Sequence, residues 1–195
     1  MRQMYKSSIL VMMFVLVFFA ISVCAAEIVL IPTADTFVRD GGNVDDNFGE
    51  ANRIELKFEG DREGMTRVGF LKFDISSIAA VEKANLRLYI EFSDQLDVRT
   101  LAFSDVTGEE WSEGELTWAA APLGEAELIA EIDVVSQLAK WYEVDVTEWL
   151  KAYVAKGAQE ISIRINNKAD HWGGAVFVTS KEGDEENHPQ LVVVN

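Results

Sequence analysis

Between Leu86 and Phe92 the chain alternates without a break. Leu86, Leu88, Ile90 and Phe92 are separated by Arg87, Tyr89 and Glu91. A period of two puts successive side chains on opposite faces, so this segment is a half-buried strand and not a helix. Ile161, Ile163 and Ile165 repeat the pattern around Ser162 and Arg164. Ile54, Leu56 and Phe58 alternate with charged residues until Gly60-Asp61 interrupts them. Shorter runs at Glu27–Ile31, Arg67–Phe73, Ala175–Thr179 and Gln190–Val194 extend the series. Some ten short strands with little helix between them predict an all-β fold, an antiparallel, jelly-roll-like β-sandwich.

One short helix is expected. Asp145-Val146-Thr147-Glu148 has capping-box spacing, an acceptor followed three residues later by Glu. Val146, Trp149, Leu150, Tyr153 and Val154 then share one helical face, and Gly157 stands where the helix should stop.

The N-terminus reads differently. Arg2 and Lys6 precede the apolar run Ile9 to Ile21, and Ser22-Val23-Cys24-Ala25-Ala26 follows it. A basic start, a short apolar core and small residues before a polar segment describe a secretory signal peptide over residues 1–26. The run is short for a spanning helix, which needs about 20 apolar residues. Cleavage after it removes Cys24, the only cysteine. The mature segment, 27–195, must then hold together by burial without disulfides, and its size allows that in one domain.

The net charge of −16 argues against nucleic acid and anionic membranes, which need clustered Lys and Arg. Loss of Arg2 and Lys6 with the leader makes the mature chain more acidic still.

Catalytic signatures are missing. There is no Gly-x-Ser-x-Gly elbow, His-Glu-x-x-His pair or phosphate loop. His171 and His188 stand alone near the C-terminus and read as loop residues. A glycosidase carboxylate pair is defined by distance in space, so sequence spacing singles none out. The acidic loop at 40–47 is a candidate calcium loop, with Asp40, Asn43, Asp45 and Asp46 as oxygen donors and Gly41-Gly42 to turn carbonyls inward. It lacks EF-hand spacing, and a solvated turn is the alternative. The second acidic run, Glu182 to Glu186, reads as a solvated loop.

Six segments, in order, resemble a known family. Ala34-Asp35-Thr36-Phe37-Val38-Arg39 with Asp46-Asn47-Phe48-Gly49 resembles the opening of the DNRLRE-type domain, carbohydrate-binding module family 96. Arg67 to Ile78 is similar to its "YLKFDLSSI" strand, and Ala84 to Ile90 to its "ATLRLYV" strand. Trp111-Ser112-Glu113 with Leu116 to Pro122 resembles its "WSE…LTWNNAP" segment, with Ala119-Ala120 replacing the two asparagines. Trp141 to Thr147 is similar to "WVEFDVT", and Phe177 to Glu182 with His188 to Leu191 to "FYSRE…PQL". The resemblance implies a secreted β-sandwich that accompanies polysaccharide-degrading enzymes, with acidic polysaccharides such as alginate among the ligands and calcium as a structural companion.

An acidic glycan needs Arg and Lys aimed at its carboxylates. In the strand at 67–73, Leu71 and Phe73 should face the core. Phe70 and Lys72 should then face outward as a sugar platform, unless a second layer covers them. Arg39 and Lys181, at positions matching the family's "YVR" and "SRE", are the other basic candidates. Trp111, Trp118, Trp141 and Trp149 read as packing residues. Trp172, between His171 and two glycines, is the tryptophan expected to stack on sugar. The expected function is therefore a secreted, non-catalytic polysaccharide-binding module, with a separate degrading enzyme as its partner. The alternative is an extracellular structural or adhesive protein using the same sandwich. Convergence of the basic and aromatic candidates on one open surface would favour binding.

Overall fold

The computed structural model describes residues 26–60, 64–93, 98–135, 138–168 and 174–195. Residues 1–25, all but the last residue of the expected leader, and the His171-Trp172 pair lie outside the described residues. Eleven strands and one α-helix are described, in two antiparallel sheets.

The first sheet contains β1 (Glu27–Leu30), β3 (Arg53–Leu56), β5 (Lys83–Ser93), β8 (Lys140–Asp145), β10 (Val176–Thr179) and β11 (Gln190–Val194). Its long strand, β5, pairs with β8 along one edge. Along the other edge it pairs with β11 near its start and β10 near its end. β1 and β3 pair with β11 and β10 in turn. The second sheet is ordered β2 (Ala34–Arg39), β4 (Arg67–Asp74), β9 (Glu160–Asn167), β6 (Arg99–Asp105) and β7 (Leu128–Val134).

Period-two alternation sets which side chains meet between the sheets. Leu86, Leu88 and Ile90 of β5, Leu71 and Phe73 of β4, and Ile161, Ile163 and Ile165 of β9 are all buried in one cluster. At 25 cal/mol per Å² and more than 20 such side chains, this burial is the dominant stabilising term. Gly69 of β4 leaves room for side chains of the facing β3. A Cβ there would come within 2.7 Å of Ile54 and 2.8 Å of Leu56.

Within β5 the alternation fails at its end, with a consequence. Phe92 should point inward with Leu88 and Ile90, yet it is 40% exposed. The register slips at this point, with Phe177 opposite Phe92 but Val178 opposite Ile90. The extra residue, Glu91, is a β-bulge that turns Phe92 to the outer face.

The helix α1 (Thr147–Ala155) carries the chain from β8 in the first sheet to β9 in the second. It buries Leu150, and Trp149, Tyr153 and Val154 pack against the core. The expected capping box is replaced by a shorter device: Asp145 accepts the Thr147 N–H at 2.9 Å, while the Thr147 hydroxyl bonds the Ala84 backbone. Gly157, at φ +71°, ends the helix in the left-handed conformation that glycine tolerates best. Among the described residues no helix is long and apolar enough to cross a membrane.

Candidate functional site

The outer faces of the two sheets differ. On the second sheet, residues 106–127 fold back over β4 and make a second apolar cluster. Val38, Val68 and Phe70 meet Val106, Trp111 and Leu116 there, with Trp118 and Leu123 partly buried around them. Arg164 of β9 ties this cover down by donating to the carbonyls of Pro122 and Gly124, both at 2.8 Å.

This cover corrects two expectations. Phe70 does face away from the main core, but it is fully buried, 5.9 Å from the Trp111 ring. It offers no platform. Lys72 donates to the Trp111 carbonyl at 2.9 Å, pairs with Glu160 at 3.2 Å and lies over the Trp111 ring. Its charge is already spent inside the protein. Strand alternation assigned the faces correctly but carries no information about a remote loop that returns to cover one of them.

The other basic candidates do not join Phe70 and Lys72 on a surface either. Arg39 donates Nε to the Gly64 carbonyl at 2.9 Å. Lys181 is clamped between Glu113, at 2.9 Å, and Glu182. Burial works against its charge, but those two carboxylates outweigh it and hold its pKa above the usual value. Glu113 also accepts the Asp35 N–H at 2.8 Å, and Asp35 accepts the Lys181 N–H at 2.7 Å. The clamp thus joins β2, the cover and the segment after β10. Asp35 is fully buried, and desolvation, helped by nearby Glu113 and Glu182, pushes its pKa up to about 7 despite the Lys181 N–H.

The calcium loop does not fit its assigned role. Asp40 Oδ1 accepts the Thr66 N–H at 2.9 Å, and Asn43 donates to Asp46 at 2.6 Å. Asp45 is exposed. No three carboxylate, imidazole or thiol side chains converge on a metal position among the described residues. One oxygen each of Asp40 and Asp46 is thus engaged within the protein. The second acidic run behaves similarly, with Asp184 accepting from Glu186 N and Asn187 Nδ2. His188 sits with a ring nitrogen 3.3 Å from the Gly183 carbonyl.

On the first sheet, no second apolar layer covers the outer face among the described residues, and partly exposed aromatic residues lie on it. Trp141 of β8 lies opposite Tyr89 of β5, with ring centroids 5.4 Å apart, and the Arg87 guanidinium sits 4.7 Å from the Trp141 ring. Further along β5, Phe92 stacks on Phe177 at 6.3 Å, and Arg53 lies 4.5 Å from the Phe177 ring. Toward the start of β5 is a shallow depression of about 210 Å³, with Lys83, Asn85, Arg87 and Glu143 around Val192 and Val194. Trp141 was expected to be a packing residue, and here it faces outward. The signal that could have found this face was partly visible, because Arg87 and Tyr89 already read as outward. The register that brings Trp141 beside Tyr89, and the bulge that exposes Phe92, are tertiary facts.

Two antiparallel sheets packed around one core define a β-sandwich. The chain belongs to carbohydrate-binding module family 96, whose model matches residues 26–195. It is 28% identical over 138 residues to a gellan lyase of Bacillus sp, a match spanning 69% of this chain and only 5% of that enzyme. Among solved structures it is similar to a CBM36 domain of a multidomain xylanase from the hindgut metagenome of Trinervitermes trinervoides. That likeness has 9% identity, covers 82% of this chain and 95% of that one, and has a TM-score of 0.35. It is likewise similar to a CBM36 module in complex with calcium and xylotriose, at 6% identity, 82% and 99% coverage and a TM-score of 0.34. The sandwich assignment itself rests on the two sheets of this chain.

Proposed function

We propose that the chain is exported behind a removable leader, residues 1–26, and that residues 27–195 act as one non-catalytic domain binding an extracellular polysaccharide. Membership of a carbohydrate-binding module family over nearly the whole mature segment carries this reading. The open aromatic face supports it, because aromatic rings present large apolar area with polar groups at their edges. The gellan lyase relative supports an association with polysaccharide degradation, because the matching segment is a small part of that enzyme's own chain.

Acidic glycans such as alginate are the class that the family resemblance implies. Structural or adhesive use of the sandwich is the second reading, favoured by the way Arg87 and Arg53 already occupy the Trp141 and Phe177 rings. A glycan array that includes alginate, gellan and neutral glycans, read in calcium and after chelation, decides between them. Binding to any polysaccharide is expected. Silence from demonstrably folded protein overturns the module reading and leaves the structural one.

A further inference from the structure

We infer that the interior of the sandwich holds one small monovalent anion, a halide such as chloride, against the guanidinium of Arg99 at the start of β6. The site lies between the sheets and is independent of either outer face.

Alternation puts this side chain inside. Arg99, Leu101 and Phe103 share one face of β6, and Leu101 and Phe103 are fully buried core residues. Across the sheet Arg99 lies opposite Val134 of β7, which is also core. Its tip meets Gly174, just before β10 of the first sheet, where a Cβ would overlap the guanidinium. The side chain thus reaches from one sheet to the other with no exposed surface. The carboxylates of the adjacent strand face elsewhere. Asp133 and Glu131 of β7 register with Thr100 and Ala102, on the opposite face, where they bond the Thr100 hydroxyl and Lys168.

Charge sets the class of ligand. A guanidinium keeps its proton at any physiological pH, so burial leaves it charged. Lys57 and Arg164, the other buried basic side chains among the described residues, both have acceptors. Lys57 pairs with Glu59 at 3.3 Å, and Arg164 donates to the Pro122 and Gly124 carbonyls at 2.8 Å. Nε and both terminal nitrogens of Arg99, by contrast, are buried with no acceptor among the described residues. A buried charge without a counter-charge is among the costliest arrangements a core can contain. A water molecule could accept the hydrogen bonds but would leave the charge in place. One monovalent anion does both. A divalent anion would only reverse the excess charge, and full burial excludes anything as large as a sugar acid.

Urea unfolding of the full chain tests this at constant ionic strength, with chloride or bromide replacing gluconate. The folding equilibrium constant should rise about tenfold for each tenfold increase in halide above its dissociation constant, as for one ion bound only by the folded state. The chloride magnetic-resonance line should broaden in the presence of folded protein. Arg99→Met keeps most of the side chain's length without its charge. It should lose both halide responses and be at least as stable as the unaltered protein in gluconate, because the uncompensated charge is gone. Arg99→Lys, which keeps a charge but not the planar fork, should weaken the halide dependence, and it decides the matter if Arg99→Met does not fold. An unaltered protein indifferent to halide overturns the inference, as does a halide response that both variants retain in full. A stability loss in Arg99→Met as large in gluconate as in chloride overturns it too, since Arg99 would then have its acceptor within the protein.

Discussion

The outer faces of the two sheets are built by the same alternation and have opposite fates. On β4 the outward residues Val68 and Phe70 are roofed by residues 106–127 and become a second core. On β5 the outward residues Arg87 and Tyr89 meet Trp141 of a neighbouring strand and stay half-open. Phe70 is 0% exposed and Phe92 is 40% exposed, although simple alternation would send Phe70 out and Phe92 in. An outward-facing aromatic in a strand therefore says nothing about function until what lies above it is known. The pairing of charges follows the same division. Lys72 and Lys181 bind the cover and its clamp, whereas Arg87 and Arg53 lie on rings at the open face.

The contrast can be broken most sharply at Phe70. Phe70→Ala should destabilise the fold by about 3–5 kcal/mol, as for large aromatic truncations in a core. Urea unfolding measures this, and a change of well under 1 kcal/mol would mean the cover is not a packed layer. A smaller loss is expected for Glu113→Ala, which strands the buried Asp35 N–H and releases Lys181. About 1–3 kcal/mol should be lost, and protease cleavage should concentrate within 106–127.

Asp35 sharpens the comparison through pH. Its carboxyl titrates near 7 in the folded chain against an ordinary value of 3.8. Between those values the folded state holds a proton that the unfolded state has released. Stability should therefore be fully present at the acid end of this window, fall as pH rises through it, and level off above about 7. Asp35→Asn should remove that slope from a pH series of urea midpoints. Parallel curves for the two proteins would show that Asp35 does not control it. The smallest stability effect is expected at the open face, where Trp141→Ala should change unfolding by no more than about 1 kcal/mol. A loss as large as that at Phe70 would make Trp141 a core residue and remove the difference between the faces.

Much of this architecture is legible from local pattern. The alternation at 86–90 and 161–165, the helix start near Asp145 and its stop at Gly157 all survive in the structure, because each depends on neighbours within a few residues. The candidate site was not legible in the same way. Arg39, Phe70, Lys72 and Lys181 were each assigned a plausible face or loop, but their partners are distant in sequence: Gly64, Trp111, Glu160 and Glu113. The donors at 40–46 looked sufficient for a cation until their hydrogen bonds to Thr66 and to one another were visible.

By itself, then, the sequence determined the strand-rich sandwich, the faces of most strands and the single helix, since period and turn chemistry are local properties. Only the tertiary structure decided which outward face is roofed and which is open, because that depends on long-range register. The β5–β8 pairing sets Trp141 beside Tyr89, the bulge at Glu91 exposes Phe92, and the returning segment seals Phe70. A period of two tells a side chain which way to point; only contacts between distant segments decide whether it meets solvent or protein there.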